Sequence, residues 1–412
     1  MPTLLACLLA LSASQSPAAD RVEQWTEDAL FLVEELERQH PHPWFGCPRE
    51  EFERSIDVFL SGIEGWSEVR TRAEFLRLFA RIAEQGRDGH TSFWPLGGET
   101  LPLQLYSFVD GWWVVAAQDA ELVGARVTAL GGVPIDEVSR RLAPLLTRDN
   151  EWNLRDKLAL ALLSGELLAG VDVPVTEGAL EIGLQRGGKD ERRKLVLRPG
   201  GLPAVWARPA LPARPGVRWL EHRDEAFRYE ILEAERVLYV QYNEVTARDA
   251  NGRELASFAS EVARVFGERD LLRLVLDVRS NGGGNNGTFG PLIDVLKAAP
   301  FDRPGVVFAL IGRHTFSAAG NFVTTLERDT RAILIGEPTG GAPNQYGDAL
   351  MVTLPNHRDL LVRVSTRYWE FSRADDVRLT HEPHLAVPLR AADYFADRDP
   401  VLAAALTYVP PK

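Results

Sequence analysis

The spacing of apolar residues divides the chain into three regions with different predicted secondary structure. Residues 21–86 carry apolar side chains three to four positions apart, which predicts a bundle of about three helices interrupted by the turn HPHP at 40–43. Residues 96–225 contain short alternating runs that are typical of β-structure. Residues 226–405 alternate apolar, β-branched runs such as VLYVQY, GVVFALIG and LLVRVS with helical patterns, which predicts an α/β sheet with buried strands.

Glycine and proline positions give the middle region more detail. Asp110-Gly111 and Gly187-Gly188 predict the turns of two β-hairpins. Between them, a strand, a glycine turn at 131–132 and a short strand lead into a helix that begins near Ile135. The stretch 199–215 is rich in proline and glycine and is the predicted linker to the α/β region.

The N-terminus is typical of an export signal. Residues 4–12 form a short apolar run, small residues follow, and an A-x-A-like exit lies at 17–19, so residues 1–19 are predicted to be a signal peptide of a periplasmic or secreted protein. Cleavage would remove Cys7 and leave Cys47 alone, so no intramolecular disulfide could form. A buried N-terminal helix and a lipoprotein signal ending at Cys7 are the alternatives.

Composition excludes several classes of function. Among 412 residues, 58 acidic and 46 basic side chains give a formal charge of -12, which argues against binding to nucleic acid through the phosphate backbone. Two cysteines cannot build a zinc site of four thiolates. No apolar run is long enough to cross a bilayer, so no transmembrane segment is predicted.

Two segments of the α/β region could carry chemistry. A strand at 272–278 runs into the loop RSNGGGNNG, whose glycines could expose backbone N–H groups to an anion, although a plain glycine turn fits equally well. The next strand is followed by RHTFSAAG, which places Ser317 where a strand gives way to a helix. The N–H of Ala318 would then lack an intrahelical partner and could bind an oxyanion. The alternative is that Ser317 is a helix N-cap.

Five motifs follow one another in the second half of the chain: LDVRSNGGG, HTFSAAGNF, LIGEPTGG, EPHLAVP and RDPVLAAAL. This ordered set resembles the C-terminal-processing (tail-specific) serine peptidase family, and within it the tricorn-like branch that uses a histidine. The resemblance covers residues 226–405. The sequence DGHT at 88–91 is similar to the N-terminal region of many members, and residues 122–139 are similar to part of a PDZ-like module.

The resemblance implies a fold and a division into domains. The fold class is α/β, with a crotonase-like (ββα-spiral) peptidase core at 216–412. An N-terminal helical cap at 20–95 and a β-rich, partly PDZ-like domain at 96–215 precede this core.

The resemblance also implies roles for five residues. Ser317 would be the nucleophile, and Gly283 and Ala318 would form the oxyanion hole. One branch of the family uses a lysine after the serine, but residues 337–342 contain none, so His90 is the predicted general base. Asp376 is the predicted acid that orients His90.

The choice of acid is open, because the expected Pro-Asp motif reads Pro383-His384 in this chain. Asp375 and Glu370 are the second and third candidates for the same role.

These features predict an exported serine endopeptidase that acts on a protein or peptide substrate without a metal or organic cofactor. His40 and His42 are predicted to belong to a helix-ending turn rather than to a metal site. One alternative is a protein of the same fold that binds peptides or hydrophobic ligands without hydrolysis. A second is a crotonase-type acyl-CoA enzyme, against which the export signal argues because CoA is cytoplasmic.

Overall fold

The computed structural model describes residues 17–95, 97–200 and 211–409, which form a mixed α/β protein with several sheets. Most of the predicted signal peptide (1–16) and of the predicted linker (201–210) lies outside the described residues, and residues 17–19 begin the first helix. None of the helices within the described ranges is long and apolar enough to span a membrane.

Three amphipathic helices form the N-terminal region, as the sequence predicts. Large aromatic side chains occupy their inner faces, and Trp25, Phe52 and Phe75 are fully buried. The ring centroids of Trp25 and Phe75 lie 5.1 Å apart, so the helices meet through aromatic contacts. The helices are α1 (Pro17–Gln39), α2 (Arg49–Gly62) and α3 (Glu68–Ala80), with short 3₁₀ turns at Ile63–Gly65 and Arg81–Ala83.

The middle region contains the two predicted hairpins, joined in one antiparallel sheet. Gly111, Gly187 and Gly188 have positive φ angles at the hairpin turns, which a residue without Cβ adopts easily. The strands are β1 (Ser92–Pro95), β2 (Glu99–Thr100), β3 (Leu103–Phe108), β4 (Gly111–Ala117), β5 (Arg126–Leu130), β6 (Val133–Pro134), β7 (Ala179–Arg186), β8 (Lys189–Val196) and β9 (Arg198–Pro199). The helices are α4 (Ile135–Leu142), α5 (Glu151–Ala161) and α6 (Gly165–Gly170), with 3₁₀ turns at Ala120–Leu122 and Ala143–Leu145. In the sheet the order is β3-β4-β5-β7-β8, with β6 paired to β5, while β2 pairs with β9.

The C-terminal region contains the predicted α/β sheet. Its strands are β10 (Phe227–Leu232), β11 (Val237–Tyr242), β12 (Arg273–Asp277), β13 (Val307–Ile311), β14 (Ile333–Gly336) and, at its far edge, β19 (Leu385–Ala386). Neighbouring strands among β11, β12, β13, β14 and β19 are parallel, and β10 is antiparallel to β11. The helices are α7 (Leu255–Glu268), α8 (Gly290–Leu296), α9 (Ala318–Asp329), α10 (Ala391–Phe395) and α11 (Pro400–Thr407), with a 3₁₀ turn at Arg218–Leu220 before β10.

Four further strands connect the C-terminal region to the N-terminal half. They are β15 (Asn344–Gly347), β16 (Leu350–Val352), β17 (Leu360–Val364) and β18 (Arg367–Glu370). The run LLVRVS was expected in the α/β sheet, and that prediction is wrong, because β17 pairs antiparallel with β1. An apolar β-branched run fits any half-buried sheet, so its pattern does not specify its partner. The pairing draws the chain next to His90 towards the C-terminal half.

The hydrophobic core follows the same connection. One apolar cluster contains Trp25 of α1, Phe93 of β1, Leu130 of β5 and Val362 of β17, so it extends across the boundary predicted at residue 95. A second cluster lies within residues 226–334, beneath the α/β sheet and its helices.

Candidate active site

Ser317 occupies a strained turn between β13 and α9. Its backbone angles, φ 56° and ψ -131°, are rarely adopted by a residue with a Cβ atom, and such conformations concentrate at functional sites. Thr315 fixes the start of this turn to the end of the neighbouring strand, because its hydroxyl donates to the carbonyl of Val278 at 2.9 Å. Ser317 occupies the N-cap position of α9, but its side chain makes no capping hydrogen bond to the helix.

His90 lies within hydrogen-bond reach of Ser317. Its Nε2 is 2.8 Å from the Ser317 hydroxyl, although 227 positions separate the two residues in the chain. The imidazole stacks on Phe316, with ring centroids 4.5 Å apart and planes inclined by 21°. Burial lowers the pKa of His90 from its ordinary value of 6.5 to about 4. The imidazole is therefore neutral at pH 7 and can accept the serine proton.

The second nitrogen of His90 has an unusual environment. Nδ1 is buried without a close hydrogen-bond partner among the described residues, and only the backbone of Tyr346 interacts with the ring as a hydrogen-bond acceptor, so no carboxylate holds the ring from that side. The negative charge of Asp88 and the backbone of Tyr346 act to raise the pKa of His90, but burial outweighs both. When Nε2 accepts from Ser317, the ring proton resides on Nδ1.

Asp88 is fixed by a network that includes the HPHP turn. Its carboxylate accepts hydrogen bonds from the backbone N–H of Thr91 at 2.9 Å, the Ser365 hydroxyl at 2.7 Å and the His40 ring at 3.1 Å. Nδ1 of His40 accepts a hydrogen bond from the backbone N–H of His42. The ring proton is therefore on Nε2, which donates a hydrogen bond to the Asp88 carboxylate. Burial alone would raise the pKa of Asp88, but the bonds from His40 and Thr91 bring it to about 2. The turn at 40–43 therefore ends a helix and also holds the Asp88 carboxylate in place through His40.

The backbone of Gly89, the residue before His90, is held on both sides by two buried ionisable side chains. The sequence analysis did not identify either of them. The Asp149 carboxylate accepts from the N–H of Gly89 at 2.6 Å and from the N–H of Ala342 at 3.1 Å. The Lys157 ammonium donates to the Gly89 carbonyl at 2.8 Å. Burial raises the pKa of Asp149 to about 7 and lowers that of Lys157 to about 8. These contacts fix the backbone that presents the imidazole.

The structure brings Gly283 and Ala318 together beside Ser317. No acceptor binds the N–H of Ala318 among the described residues. Gly283 has φ 112°, and a Cβ atom there would lie 2.5 Å from Cβ of Ser317 and 3.0 Å from the nitrogen of Ala318. The N–H of Gly283 donates to Oδ1 of Asn281 at 2.9 Å, so it is already engaged. Ala318 therefore supplies the open donor, and Gly283 supplies the space.

The three candidate acids lie apart from His90. The Asp376 carboxylate accepts from the Ser372 hydroxyl at 2.6 Å and pairs with Arg378 at 2.8 Å, and the bond from Arg378 lowers its pKa. Asp375 forms an exposed ion pair with Arg373, and Glu370 is exposed at the end of β18. No hydrogen bond joins any of the three to His90.

Ser317 and His90 open into a cavity of about 510 Å³. Its wall includes a second histidine–carboxylate pair, in which Nδ1 of His314 lies 2.9 Å from Asp156. Basic side chains from three separate segments of the chain also line it: Lys157, Arg223 and Arg363. Across the ranges that the structure describes, no group of three or more histidine, cysteine, aspartate or glutamate side chains is arranged to hold a metal ion.

The fold and the site together define a class: an α/β protein with a serine on a strained turn and a buried, neutral histidine beside it. No family model matches the chain, and no curated protein matches its sequence. Solved structures do match. Mature CPAF complexed with lactacystin has a TM-score of 0.61 at 13% identity, with 93% of this chain and 99% of that chain covered.

A CPAF mutant gives a TM-score of 0.63 at 13% identity, covering 95% of this chain and 99% of that one. The photosystem II D1 C-terminal processing protease gives a TM-score of 0.41 at 14% identity, with 88% of this chain and 93% of that chain covered. The two CPAF structures show that this chain shares their fold. The similarity to CPAF extends over nearly the whole chain, including the N-terminal and middle regions.

Proposed function

We propose that this protein is a serine endopeptidase that cleaves peptide bonds in protein or peptide substrates by acyl transfer. The observation that carries the proposal is the 2.8 Å hydrogen bond between His90 and Ser317 on a strained turn. A nucleophile and a neutral base meet in one cavity, and the open N–H of Ala318 follows the nucleophile in the chain, which is the arrangement that acyl transfer requires.

The reaction follows from the positions of these groups. Ser317 Oγ attacks the peptide carbonyl while Nε2 of His90 takes its proton. The N–H of Ala318 binds the developing oxyanion, and Gly283 contributes a second donor when its N–H is shared with or released from Asn281. His90 then returns the proton to the leaving amine, and a water molecule activated by the same nitrogen hydrolyses the acyl-enzyme.

The charge that forms on His90 has no carboxylate partner at Nδ1. Asp88 lies close enough to influence the pKa of the imidazole, and its negative charge stabilises the imidazolium through space. The bonds from His40, Thr91 and Ser365 keep Asp88 ionised. In this proposal the buried Asp88 network supplies electrostatic support, and the clamp on Gly89 supplies orientation.

The finer organisation is also part of the proposal. We assign the crotonase-like core to residues 216–412, the helical cap to 20–95 and the β-rich, partly PDZ-like domain to 96–215. Export to the periplasm or the medium is supported by the apolar run at 4–12 and the small residues after it.

A fluorophosphonate probe tests the function directly, because it reacts only with an activated serine. The folded wild-type protein is expected to be labelled, and mass spectrometry of the digest should locate the adduct on Ser317. Unfolded α-casein should be cleaved in parallel. A folded protein that is neither labelled nor able to cleave casein would contradict the peptidase proposal and favour the ligand-binding alternative.

Gly283→Ala is expected to impair both folding and catalysis. The new methyl group would lie 2.5 Å from Cβ of Ser317, at a φ of 112° that alanine rarely adopts, so something must move. We expect a stability loss of about 1–3 kcal/mol and a fall in kcat/KM of roughly 10²- to 10³-fold. Thermal unfolding and peptide hydrolysis measure the two effects.

The matched control is Gly267→Ala in α7, where a Cβ atom meets nothing within 4 Å. This change should leave kcat/KM unchanged and should stabilise the helix by up to about 1 kcal/mol. Equal behaviour of the two variants would show that Gly283 does not lie against the serine.

Asp376→Asn tests whether the predicted acid orients His90. Because the Asp376 carboxylate is held by Ser372 and Arg378, we expect kcat/KM to fall by less than about 10-fold, compared with roughly 10⁴-fold for removing an orienting aspartate. Steady-state hydrolysis of one fluorogenic peptide is sufficient for the measurement. A loss near the larger value would assign Asp376 the role that the sequence predicted.

A further inference from the structure

Arg223 is a cation without a carboxylate partner in the wall of the active-site cavity. Its one hydrogen bond runs from Nη1 to the carbonyl of Leu211 at 2.7 Å. Its Nε is buried and has no hydrogen-bond partner among the described residues. The stretches outside the described ranges contain no aspartate or glutamate side chain that could serve as one.

Two buried arginines of this protein, in contrast, pair with carboxylates. Arg313 makes a bidentate pair with Glu337, with distances of 2.9 and 3.0 Å. Arg279 bonds both Asp277 and Asp399. Arg223 is half-buried and, unlike these two, has no carboxylate partner among the described residues, so its charge is available to a ligand in the cavity.

The segment that carries Arg223 is fixed against the glycine loop. The Asn243 amide donates to the carbonyls of His222 at 3.1 Å and Glu225 at 2.9 Å, on either side of Arg223. The Ser280 hydroxyl donates to the carbonyl of Trp219 at 3.2 Å. Asn243 and Ser280 line the same cavity. The backbone on either side of Arg223 is therefore held by residues of the cavity wall.

The charges around the cavity favour an anion. Lys157 and Arg363 line it together with Arg223. Of the two carboxylates in its wall, Asp156 bonds His314 and Glu244 is exposed to solvent. Since Nη1 of Arg223 bonds Leu211 and Nε is buried, Nη2 is the nitrogen left to give an anion a charge-assisted hydrogen bond.

We propose that Arg223 forms a subsite for a carboxylate of the bound peptide. The carboxylate belongs either to an aspartate or glutamate side chain or to the peptide's own C-terminus, and both sources offer the same two oxygens. The inference rests on the proposed function, since it assumes that a peptide occupies the cavity. It adds a chemical preference that the serine and histidine do not supply.

Binding to the Ser317→Ala protein tests the subsite without requiring turnover. The probes are fluorescein-labelled nonapeptide pools with one fixed central residue (Asp, Glu, Asn or Gln), randomised elsewhere, each made with a free and an amidated C-terminus. Fluorescence anisotropy gives the affinity of each pool. We expect the carboxylate-containing pools to bind roughly 10- to 100-fold more tightly than their neutral counterparts.

Two further variants in the same background assign the preference. Adding Arg223→Gln should abolish the difference between charged and neutral pools and leave the affinity for neutral pools within about two-fold. Adding Arg264→Gln, which removes an exposed helix ion pair with Glu268, should leave the difference intact. Thermal unfolding of each protein shows whether it is folded.

The pools also distinguish the two sources. If pools with a central Asp bind more tightly than pools with a central Asn, whether the C-terminus is free or amidated, the subsite binds a side chain. If pools with a free C-terminus bind more tightly than amidated ones, it binds the end of the peptide chain. Equal affinity for charged and neutral pools, or an equal loss for all pools in Arg223→Gln, would overturn the proposal.

The two proposals can fail separately. Carboxylate-dependent binding with no fluorophosphonate labelling of the wild type would keep the subsite and reject the peptidase. Labelling and casein cleavage without a carboxylate preference would keep the peptidase proposal and reject the subsite.

Discussion

Replacing Ser317 with alanine is expected to lower kcat/KM by roughly 10⁴- to 10⁶-fold, because the nucleophile and the hydrogen bond to His90 are both lost. The fold should survive, since the Ser317 hydroxyl caps no helix and its backbone contacts do not need it. The carbonyl of Ser317 still accepts from Gln345 at 3.0 Å and from the N–H of Asn321 at 3.1 Å. Hydrolysis of a fluorogenic peptide and circular dichroism measure the two properties.

The matched control is Ser280→Ala in the same cavity, whose hydroxyl contacts the Trp219 carbonyl rather than the histidine. Its effect on kcat/KM should stay below about 10-fold. Residual activity of Ser317→Ala above a hundredth of the wild-type value would mean that another group attacks the substrate. That result would contradict the assignment of the nucleophile.

Ser317→Gly separates strain from chemistry. Glycine adopts a φ of 56° without the steric cost that a Cβ atom brings, so this variant should be more stable than Ser317→Ala by about 0.5–1 kcal/mol. Both variants should be inactive. A difference in stability of that sign would show that the turn stores strain at the site of the proposed nucleophile.

Local patterns in the sequence were sufficient to predict most elements. The three N-terminal helices, the two hairpins and the parallel strands follow from periodicity and turn residues, because these signals act within about ten neighbouring positions. The proximity of Ser317 and Gly283 follows from parallel strands, since β12 and β13 are neighbours and both segments leave the sheet at the same edge. His90 came from resemblance alone, as no local signal links it to a serine more than two hundred residues away.

The remaining features depend on contacts between distant segments. The pairing of β17 with β1 and the clamp of Asp149 and Lys157 on Gly89 join parts of the chain that have no shared pattern. In the sequence alone, Asp149 and Lys157 look like ordinary surface residues. Arg223 was missed for a related reason: its significance lies in the absence of a partner, which only coordinates reveal.

Replacing His90 with glutamine is expected to lower kcat/KM by roughly 10⁴- to 10⁶-fold, because the amide cannot take the serine proton. The wild-type pH profile carries a sharper signature of the same group. Since burial lowers the pKa of His90 to about 4, the base is neutral above that pH and becomes protonated as the pH falls through it. The step in the profile that reports His90 should therefore have its midpoint near pH 4, rather than near the 6.5 of an ordinary histidine, and a separate step near pH 7 would report Asp149.

Phe316→Ala should move this acid limb in a predictable direction. Phe316 stacks on the imidazole, so its removal admits water and weakens the burial that lowers the pKa of His90. The midpoint of the kcat/KM profile should rise from about 4 towards 6.5, while the activity at pH 8 changes less. Circular dichroism at each pH separates the titration from acid unfolding. A wild-type profile with no step near pH 4, or a step there that does not move in Phe316→Ala, would show that the base is not this buried imidazole.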